Sequence, residues 1–316
     1  MNRPQEPFEP ATVLQAGHAE DLLAIVPYRL GFHPEDSLVA LALDGSRRLV
    51  GLVARVDLPP LGQVPDVARY LVSVLVQHGV GEVLLVAYAD TDAIAGPLVG
   101  TVRQWLVRGQ VEVLDAYRSD GRRWFCYTCD QACCPPEGTA YDLLDHPLVA
   151  EQVFHGQVAL RDREALRAQV AAVSGDRRVA MALAFRRATN APAAVGEVDA
   201  GVDHAKSVRR GMTWIREFVD GWLAEPRPIS DDEAADLAMR VALVPIRDIA
   251  WSMMRQSTAR RHQELWRQVL TRVLPPYEPA VACLTAFAAW LDGHGALAWC
   301  AVERALEADP DYSWAD

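Results

Sequence analysis

The chain has 316 residues, of which 51% are apolar, and a formal net charge of −11 at pH 7. This length and composition allow two domains with ample apolar core. The excess of negative charge argues against a nucleic-acid footprint, which needs clustered lysine and arginine. Lys206 is the single lysine beside 30 arginines. No glycine-rich loop precedes it, which excludes a Walker A loop, and its sequence context gives no support to a Schiff-base cofactor.

The chain shows no sign of export or of membrane insertion. Its N-terminal residues lack the apolar core of a signal peptide, and no apolar run approaches the roughly 18 residues that a membrane-spanning helix requires. We therefore expect a cytoplasmic protein that binds neither membrane nor nucleic acid. Because cytoplasmic thiols stay reduced, its cysteines are expected to be free or metal-bound rather than linked in disulfides.

Residues 22–128 alternate strand-like and helix-like patterns, and residues 1–140 are predicted to form an α/β or α+β domain. A turn containing Asp44 and Gly45 separates the first two strand patterns, which indicates a β-hairpin. Gly79 supplies a stop signal for the first helix. The expected strands are residues 37–43, 49–57, 82–87, 111–117 and 122–127, and the expected helices are residues 64–77 and 92–108.

Residues 141–316 are predicted to form an all-α helical bundle, with the domain boundary inside the range 140–205. Ser230 and Glu233 have the spacing of a capping box, and the Ala-, Gly- and Pro-rich residues 189–203 are the expected linker. The tryptophans fall mostly on apolar helical faces and are predicted to be core. Because this domain carries no compact set of catalytic residue types, we expect it to pack or to bind a protein partner. Helix starts are expected at Asp162, Asp176, Ser207, Ser230, Ser257 and Pro279.

The end of the chain has a pattern of small residues typical of a tetratricopeptide-like helical hairpin. Small residues occur where two helices would touch, a glycine occurs at the turn and a proline at the stop. One unit is visible, whereas about three are needed for a free-standing array, so the hairpin is expected to complete the bundle. The residues that carry the pattern are Ala286, Gly293, Ala298, Ala305, Leu306 and Pro310.

A cysteine-rich loop closes the α/β domain, with Cys126, Cys129, Cys133 and Cys134 inside nine positions. Three causes are open: thiolates around a metal such as zinc, a redox pair, or structural thiols. Adjacent Cys133 and Cys134 can hardly both face one ion, so a zinc site would need a distant ligand such as His146 or His155. We favour structural thiols, because cysteine commonly behaves as a small buried hydrophobe.

A polar turn before the first strand offers a second candidate site. His33, Asp36, Arg55 and Asp57 would form a ligand pocket if Arg55 and Asp57 pair with the turn across the hairpin. A rigid turn is the simpler alternative, since aspartate and serine form turns and Pro34 fixes the loop. Asp90 and Asp115 near strand ends are weaker candidates, because ligands of open α/β sheets bind there.

Familiar catalytic motifs give little support. His33 with Glu35, followed by Cys126 and Cys129, is superficially similar to the zinc deaminase elements, but the histidine precedes a strand and Phe125 replaces the proline. No G-x-S-x-G elbow, H-E-x-x-H helix or strand-led G-x-G-x-x-G occurs. Familiar hydrolase, metalloprotease and dinucleotide-binding functions therefore have no support.

Five segments carry a further signal: residues 30–39, 54–59, 129–138, 247–248 and 305–310. Together they resemble an actinobacterial family catalogued as domain of unknown function 4192. The resemblance covers most of the chain and implies a bacterial cytosolic protein of this two-part architecture, with no activity or catalytic residues to carry over.

These observations predict a ligand-binding or regulatory protein with no favoured cofactor. An enzyme whose site combines the His33 turn with the cysteine loop is the first alternative, and a structural thiol or zinc-bearing scaffold is the second. The first alternative requires both features to face one concavity.

Overall fold

The computed structural model of the protein describes residues 18–43, 49–129, 134–190 and 204–312. Its contacts divide the chain into two compact units, Met1–Asp162 and Arg163–Asp316. We call them the N-terminal unit and the C-terminal unit. No helix in the described ranges combines the length and apolar composition needed to cross a membrane.

The N-terminal unit is built on a six-stranded mixed sheet with the strand order β2-β1-β3-β4-β5-β6. Strands β3 and β4 are parallel, and every other neighbouring pair is antiparallel. The mixed sheet confirms the α/β character predicted for this part of the chain. Its elements are α1 (Ala19–Leu30), β1 (Ser37–Leu43), β2 (Leu49–Asp57), α2 (Val64–Gln77), β3 (Glu82–Tyr88), α3 (Asp92–Arg108), β4 (Glu112–Ser119), β5 (Arg123–Cys126), β6 (Thr139–Ala140) and α4 (Pro147–Phe154).

The predicted hairpin forms, since β1 and β2 pair antiparallel with Ser37 opposite Asp57. Its turn, with Asp44 and Gly45, lies outside the described residues. Strand β1 also pairs with β3, which places Ser37 opposite Tyr88. Helix α3 carries the chain from β3 to the parallel strand β4, where Ser119 lies beside Tyr88. The start of β1 and the ends of β3 and β4 therefore meet at one edge of the sheet.

The two faces of the sheet are covered differently. Leu38, Leu85 and Ala87 belong to an apolar core with residues of α2 and α3. Alternate strand residues point to the other face. Helix α1 lies on that face, because the indole nitrogen of Trp124 in β5 donates a hydrogen bond to Glu20 at 3.2 Å. Strand β1 is buried along its whole length because both faces are covered.

Helix α1 was not predicted from the sequence. Eight of its 12 residues are buried, so it lacks the single apolar stripe that identifies a surface helix. It also contains Pro27, which usually ends or kinks a helix. The two-residue strand β6 was missed as well, because so short a segment carries no periodicity.

The described part of the C-terminal unit is helical, which confirms the prediction for this half. Ser230 caps α8 as expected: its hydroxyl accepts a hydrogen bond from the Glu233 amide at 3.2 Å, and its own amide donates to Glu233 Oε2 at 2.7 Å. Of the expected linker, residues 189–203, the part beyond Asn190 lies outside the described residues. The helices are α5 (Arg163–Ala168), α6 (Asp176–Asn190), α7 (His204–Ala224), α8 (Asp231–Val241), α9 (Val244–Ser252), α10 (Ala259–Leu270), α11 (Glu278–Leu291) and α12 (Gly295–Ala308).

Helices α11 and α12 follow one another across a short turn in which Gly293 has a φ of 81°. Ala286, Ala298 and Ala305 are buried, as a close helical hairpin requires. A relationship of this hairpin to the tetratricopeptide repeat stays a prediction.

The prediction that the tryptophans are mostly core is wrong for three of them. Trp266 is fully buried, but the exposed fractions of Trp251, Trp290 and Trp299 are 38%, 63% and 53%. Apolar periodicity locates the inner face of a helix, and a large amphipathic ring at its margin can face solvent.

Candidate ligand-binding site

A cavity of about 750 Å³ lies at the edge of the sheet where β3 and β4 end. Its wall includes Leu23 and Pro27 of α1, the turn before β1, the residues that follow β3 and β4, and residues 141–144. The carboxyl ends of parallel strands are where open α/β sheets commonly bind ligands. Every residue of this wall belongs to the N-terminal unit.

Four residues with a hydroxyl group line the cavity: Tyr28, Tyr88, Ser119 and Tyr141. Ser119, which is buried, lies with its Oγ 2.7 Å from Tyr141 Oη and accepts a hydrogen bond from the Gly121 amide at 3.0 Å. Tyr88 Oη is fully buried and has no hydrogen-bond partner among the described residues. Burial, with a smaller contribution from nearby Tyr141, raises the pKa of Tyr88, so its hydroxyl stays neutral. A buried hydroxyl without a partner costs about 1–3 kcal/mol, and a bound ligand would remove that cost.

Carboxylates dominate the ionisable groups of the wall. There are five of them and one histidine, His33, and none of the described lining residues is lysine or arginine. Asp120 is partly engaged, since its Oδ1 accepts hydrogen bonds from the Arg122 and Arg123 amides at 2.9 and 2.7 Å. The carboxylates are those of Glu35, Asp36, Asp90, Asp120 and Asp142.

The turn with His33 and Asp36 is fixed by its backbone. The His33 amide donates to the Leu160 carbonyl at 2.9 Å, and the Asp36 carbonyl accepts from the Leu58 amide at 2.9 Å. Asp36 has a φ of 41°, a left-handed conformation that aspartate tolerates better than most residues. The side chains of His33 and Asp36 are exposed at the cavity.

Arg55 and Asp57, which the sequence grouped with His33 and Asp36, lie behind the turn and outside the cavity wall. The Arg55 guanidinium pairs with Asp57 at 2.7 Å, donates to the Glu35 carbonyl at 3.3 Å and lies 5.6 Å from the centre of the Phe32 ring. The structure thus brings His33 and Asp36 to the cavity and gives Arg55 a supporting position under their turn.

The sequence analysis did not single out Tyr88, Ser119 or Tyr141. A signal existed for Tyr88 and Ser119, because each closely follows a predicted strand and lies near an aspartate. Asp90, a weaker candidate, does line the cavity. Asp115 lies inside β4, away from its end, and its Oδ1 accepts a hydrogen bond from Thr128 Oγ1 at 2.6 Å.

The described cysteines of the loop lie outside the cavity wall. Cys126 ends β5 opposite Tyr117, and the next residue bonds to Ala116, further from the strand ends. The Cys126 sulfur lies 3.2 Å from Thr128 Oγ1, while Cys129 and Cys134 are half-buried. None of these three cysteines belongs to the cavity wall. Cys133 lies outside the described residues.

A zinc site at the loop stays a prediction. Among the described residues, which leave out Cys133, no three His, Cys, Asp or Glu side chains form a group able to hold a metal ion. His146, one of the suggested distant ligands, caps α4 by accepting from the Leu148 amide at 3.3 Å and lies 3.4 Å from Asp21. His155, the other, is exposed and contacts the Phe154 ring.

A second concavity of about 640 Å³ lies between the end of α3 and the start of β4. Its wall includes Arg103, Val107 and Glu112. None of its lining side chains is a buried polar group without a partner among the described residues. We therefore take the cavity beside Tyr88 as the candidate site.

The protein thus consists of an N-terminal unit with a mixed sheet and a cavity, followed by a helical C-terminal unit. The chain belongs to the family described as domain of unknown function DUF4192, whose model matches residues 20–316. The resemblance noted in the sequence is thereby confirmed. A search of curated proteins and a search of solved structures each found no match.

Proposed function

We propose that the protein is a ligand-binding protein whose site is the cavity beside Tyr88. The observation that carries this proposal is that Tyr88 belongs to the cavity wall while its buried hydroxyl has no partner among the described residues. A ligand that hydrogen-bonds to this group would offset its desolvation.

The build of the cavity supports the same function. Its volume of about 750 Å³ falls in the range of small-molecule sites, roughly 300–1,000 Å³. Leu23, Pro27 and Val149 supply apolar wall, and the hydroxyls of Ser119 and Tyr141 supply fixed polar groups. Such sites combine an apolar surface with a few placed polar groups that orient the ligand.

Binding accounts for this geometry better than the proposed catalysis by the His33 turn and the cysteine loop. That enzyme would need both features in one concavity, and the described cysteines do not line the cavity. A structural thiol or zinc-bearing scaffold remains the second alternative. One zinc per chain after anaerobic purification, lost in Cys129→Ser, would support the scaffold; protein free of metal would contradict a zinc role.

The test of ligand binding compares Tyr88→Phe with Tyr127→Phe, which removes a buried hydroxyl outside the cavity. Without ligand, Tyr88→Phe should leave the melting temperature unchanged or raise it, because it removes an unsatisfied polar group. A ligand found by thermal-shift screening should stabilise wild type and Tyr127→Phe but stabilise Tyr88→Phe much less. Equal stabilisation of all three proteins would show that the ligand binds elsewhere.

A second candidate function is binding of a protein partner through the C-terminal unit. The rings of Trp251, Phe287 and Trp290 form a cluster with centroid distances of 5.4 and 5.8 Å, and Trp290 is 63% exposed. Aromatic side chains are enriched at protein interfaces. Sedimentation velocity tests a second copy as the partner: Trp290→Ala should weaken self-association, and a wild-type chain that stays monomeric at every concentration would contradict this partner.

A cytoplasmic location is also part of the proposal. It is supported by the free thiols of Cys126, Cys283 and Cys300, since reducing compartments keep such thiols unpaired. Burial raises the pKa of Cys283 to about 12, so this thiol is protonated and unreactive. Fractionation of cells that produce the protein tests the location, and recovery from the membrane or the medium would contradict it.

A further inference from the structure

We infer that the ligand of this cavity is an organic cation, with one or more ammonium groups on an aliphatic body. This inference rests on the proposed binding function and adds the chemical class of the ligand.

The charge of the wall carries the first step. Five carboxylates and one histidine line the cavity, and no lysine or arginine does so among its described residues. Such a wall attracts cations and opposes phosphates, sulfates and carboxylates. Asp90 and Asp142 are exposed at the opening, where their field would reach an approaching ligand before it enters.

Three arginines lie near the cavity without lining it. Arg118 is buried behind the wall, where it donates to the Ala89 and Asp90 carbonyls at 3.1 Å each and lies 3.7 Å from the Phe125 ring centre. Arg55 pairs with Asp57 at 2.7 Å. Arg161, which is near Glu35, pairs with Asp162 at 2.7 Å. None of these three arginines belongs to the cavity wall, so the carboxylates are the charged side chains that a bound ligand would contact there.

The spacing of the carboxylates separates an organic cation from a metal ion. A metal ion needs several ligands converging within about 2–2.6 Å, and no three acidic, histidine or cysteine side chains of the described chain form such a group. Carboxylates that line one cavity without converging on a point match a ligand whose positive charge is itself extended or bulky. Asp120 already accepts two backbone amides, which leaves it oriented rather than available to wrap an ion.

The remaining wall matches the rest of such a ligand. Tyr28, Tyr88 and Tyr141 bring three aromatic rings, which attract ammonium groups through their faces. Leu23 and Pro27 offer apolar contact to an aliphatic chain. The buried Tyr88 oxygen, without a partner among the described residues, would accept an ammonium N–H. This buried hydroxyl favours a bound ligand independently of the charge of the cavity wall.

Three four-carbon probes test the charge directly by isothermal titration calorimetry on the full chain: putrescine, 1,4-butanediol and succinate. They share an aliphatic body and differ in their end groups. Spermidine and choline extend the cation series. We expect binding of at least one amine, no binding of butanediol or succinate, and weaker amine binding as NaCl rises, because the rim carboxylates are exposed to salt.

The variants Asp90→Asn and Asp142→Asn place the binding at the cavity. Each should weaken amine binding by about fivefold, the effect of one unit charge about 4 Å away in water. Asp66→Asn is the matched control, since Asp66 is exposed on α2 and pairs with Arg69 at 2.9 Å. It should bind amines as wild type does, and melting curves should show that all three variants fold.

The outcomes separate this inference from the binding function. If succinate or butanediol binds wild type and this binding is lost in Tyr88→Phe, the cavity would remain the ligand site but the inference that its ligand is a cation would be wrong. Failure of all three amines to bind at millimolar concentration would also overturn the inference. Amine binding that is equal in wild type, Asp90→Asn and Tyr88→Phe would remove both the inference and the assigned site.

Discussion

Gly138 is the residue where a single methyl group should do most damage to the N-terminal unit. Its φ is 74°, and a Cβ placed on it would lie 2.6 Å from Cε1 and 2.8 Å from Cζ of Phe125. The Phe125 ring cannot easily give way, because the Arg118 guanidinium lies 3.7 Å from its centre. Gly138→Ala therefore combines backbone strain with a steric overlap.

The magnitude follows from these two contributions. The left-handed conformation costs an alanine about 1–2 kcal/mol, and an overpacked contact costs about 1–3 kcal/mol. Gly138→Ala should therefore lower the free energy of unfolding by about 2–5 kcal/mol. Gly79→Ala is the matched control, since Gly79 has a φ of 67° and nothing within 4 Å of the added Cβ; it should cost only about 1–2 kcal/mol.

Urea unfolding of the two variants measures the difference. In a Phe125→Leu background, the smaller side chain should relieve part of the overlap, so the two substitutions should couple. Tyr141 follows the short strand β6, and Gly138→Ala should also weaken ligand-induced stabilisation. A Gly138→Ala variant no less stable than Gly79→Ala would refute the steric argument.

Gly211→Ala should destabilise the C-terminal unit by about 1–2 kcal/mol in urea unfolding. The added Cβ would lie 2.4 Å from Cδ1 of buried Ile246, and the cost of this overpacking exceeds the gain in helix propensity. Gly221→Ala, in the same helix with nothing within 4 Å, should stabilise it by about 0.5–1 kcal/mol; equal effects would contradict the contact. Burial lowers the pKa of His262 to about 4, whereas a histidine of the unfolded chain has a pKa of about 6.5. As the pH drops from about 6.5 towards 4, the unfolded chain therefore takes up the proton first, and the free energy of unfolding falls. Unfolding midpoints at pH 7 and 5 should therefore differ less in His262→Met than in wild type, and an unchanged difference would disprove this role. Ser230→Ala should cost about 1 kcal/mol through loss of the helix cap, and an unchanged midpoint in the same assay would argue against the capping box.

Local signals in the sequence were enough for most strands and helices. Strand β1 and helix α2 were predicted with their observed ends, because alternation, helical spacing and turn residues act over a few positions. The capping box at Ser230 was visible for the same reason, since its two partners are three residues apart. Helix α1 escaped because burial on nearly all sides erased its amphipathic pattern.

The site was visible in the sequence only as separate pieces. The His33 turn and Asp90 were each noted, but nothing local places them beside Tyr141, which is more than a hundred residues from His33. Their proximity follows from the strand order, in which β3 lies between β1 and β4. Arg55 lies behind the turn because β2 pairs with β1. Cys126 lies apart from the cavity because it pairs with Tyr117, two residues before the end of β4.

The sequence by itself determined the class of each half, the polar turn and the cysteine-rich loop, because composition and periodicity report which residues must be buried. Tertiary structure decided which of these features meet. Pairing of distant strands carries no local signature, since it is selected by burial of whole faces and by the connection through α3. It buried the Tyr88 hydroxyl and brought five carboxylates to the wall of the same cavity, and that arrangement is the basis for the proposed cation site.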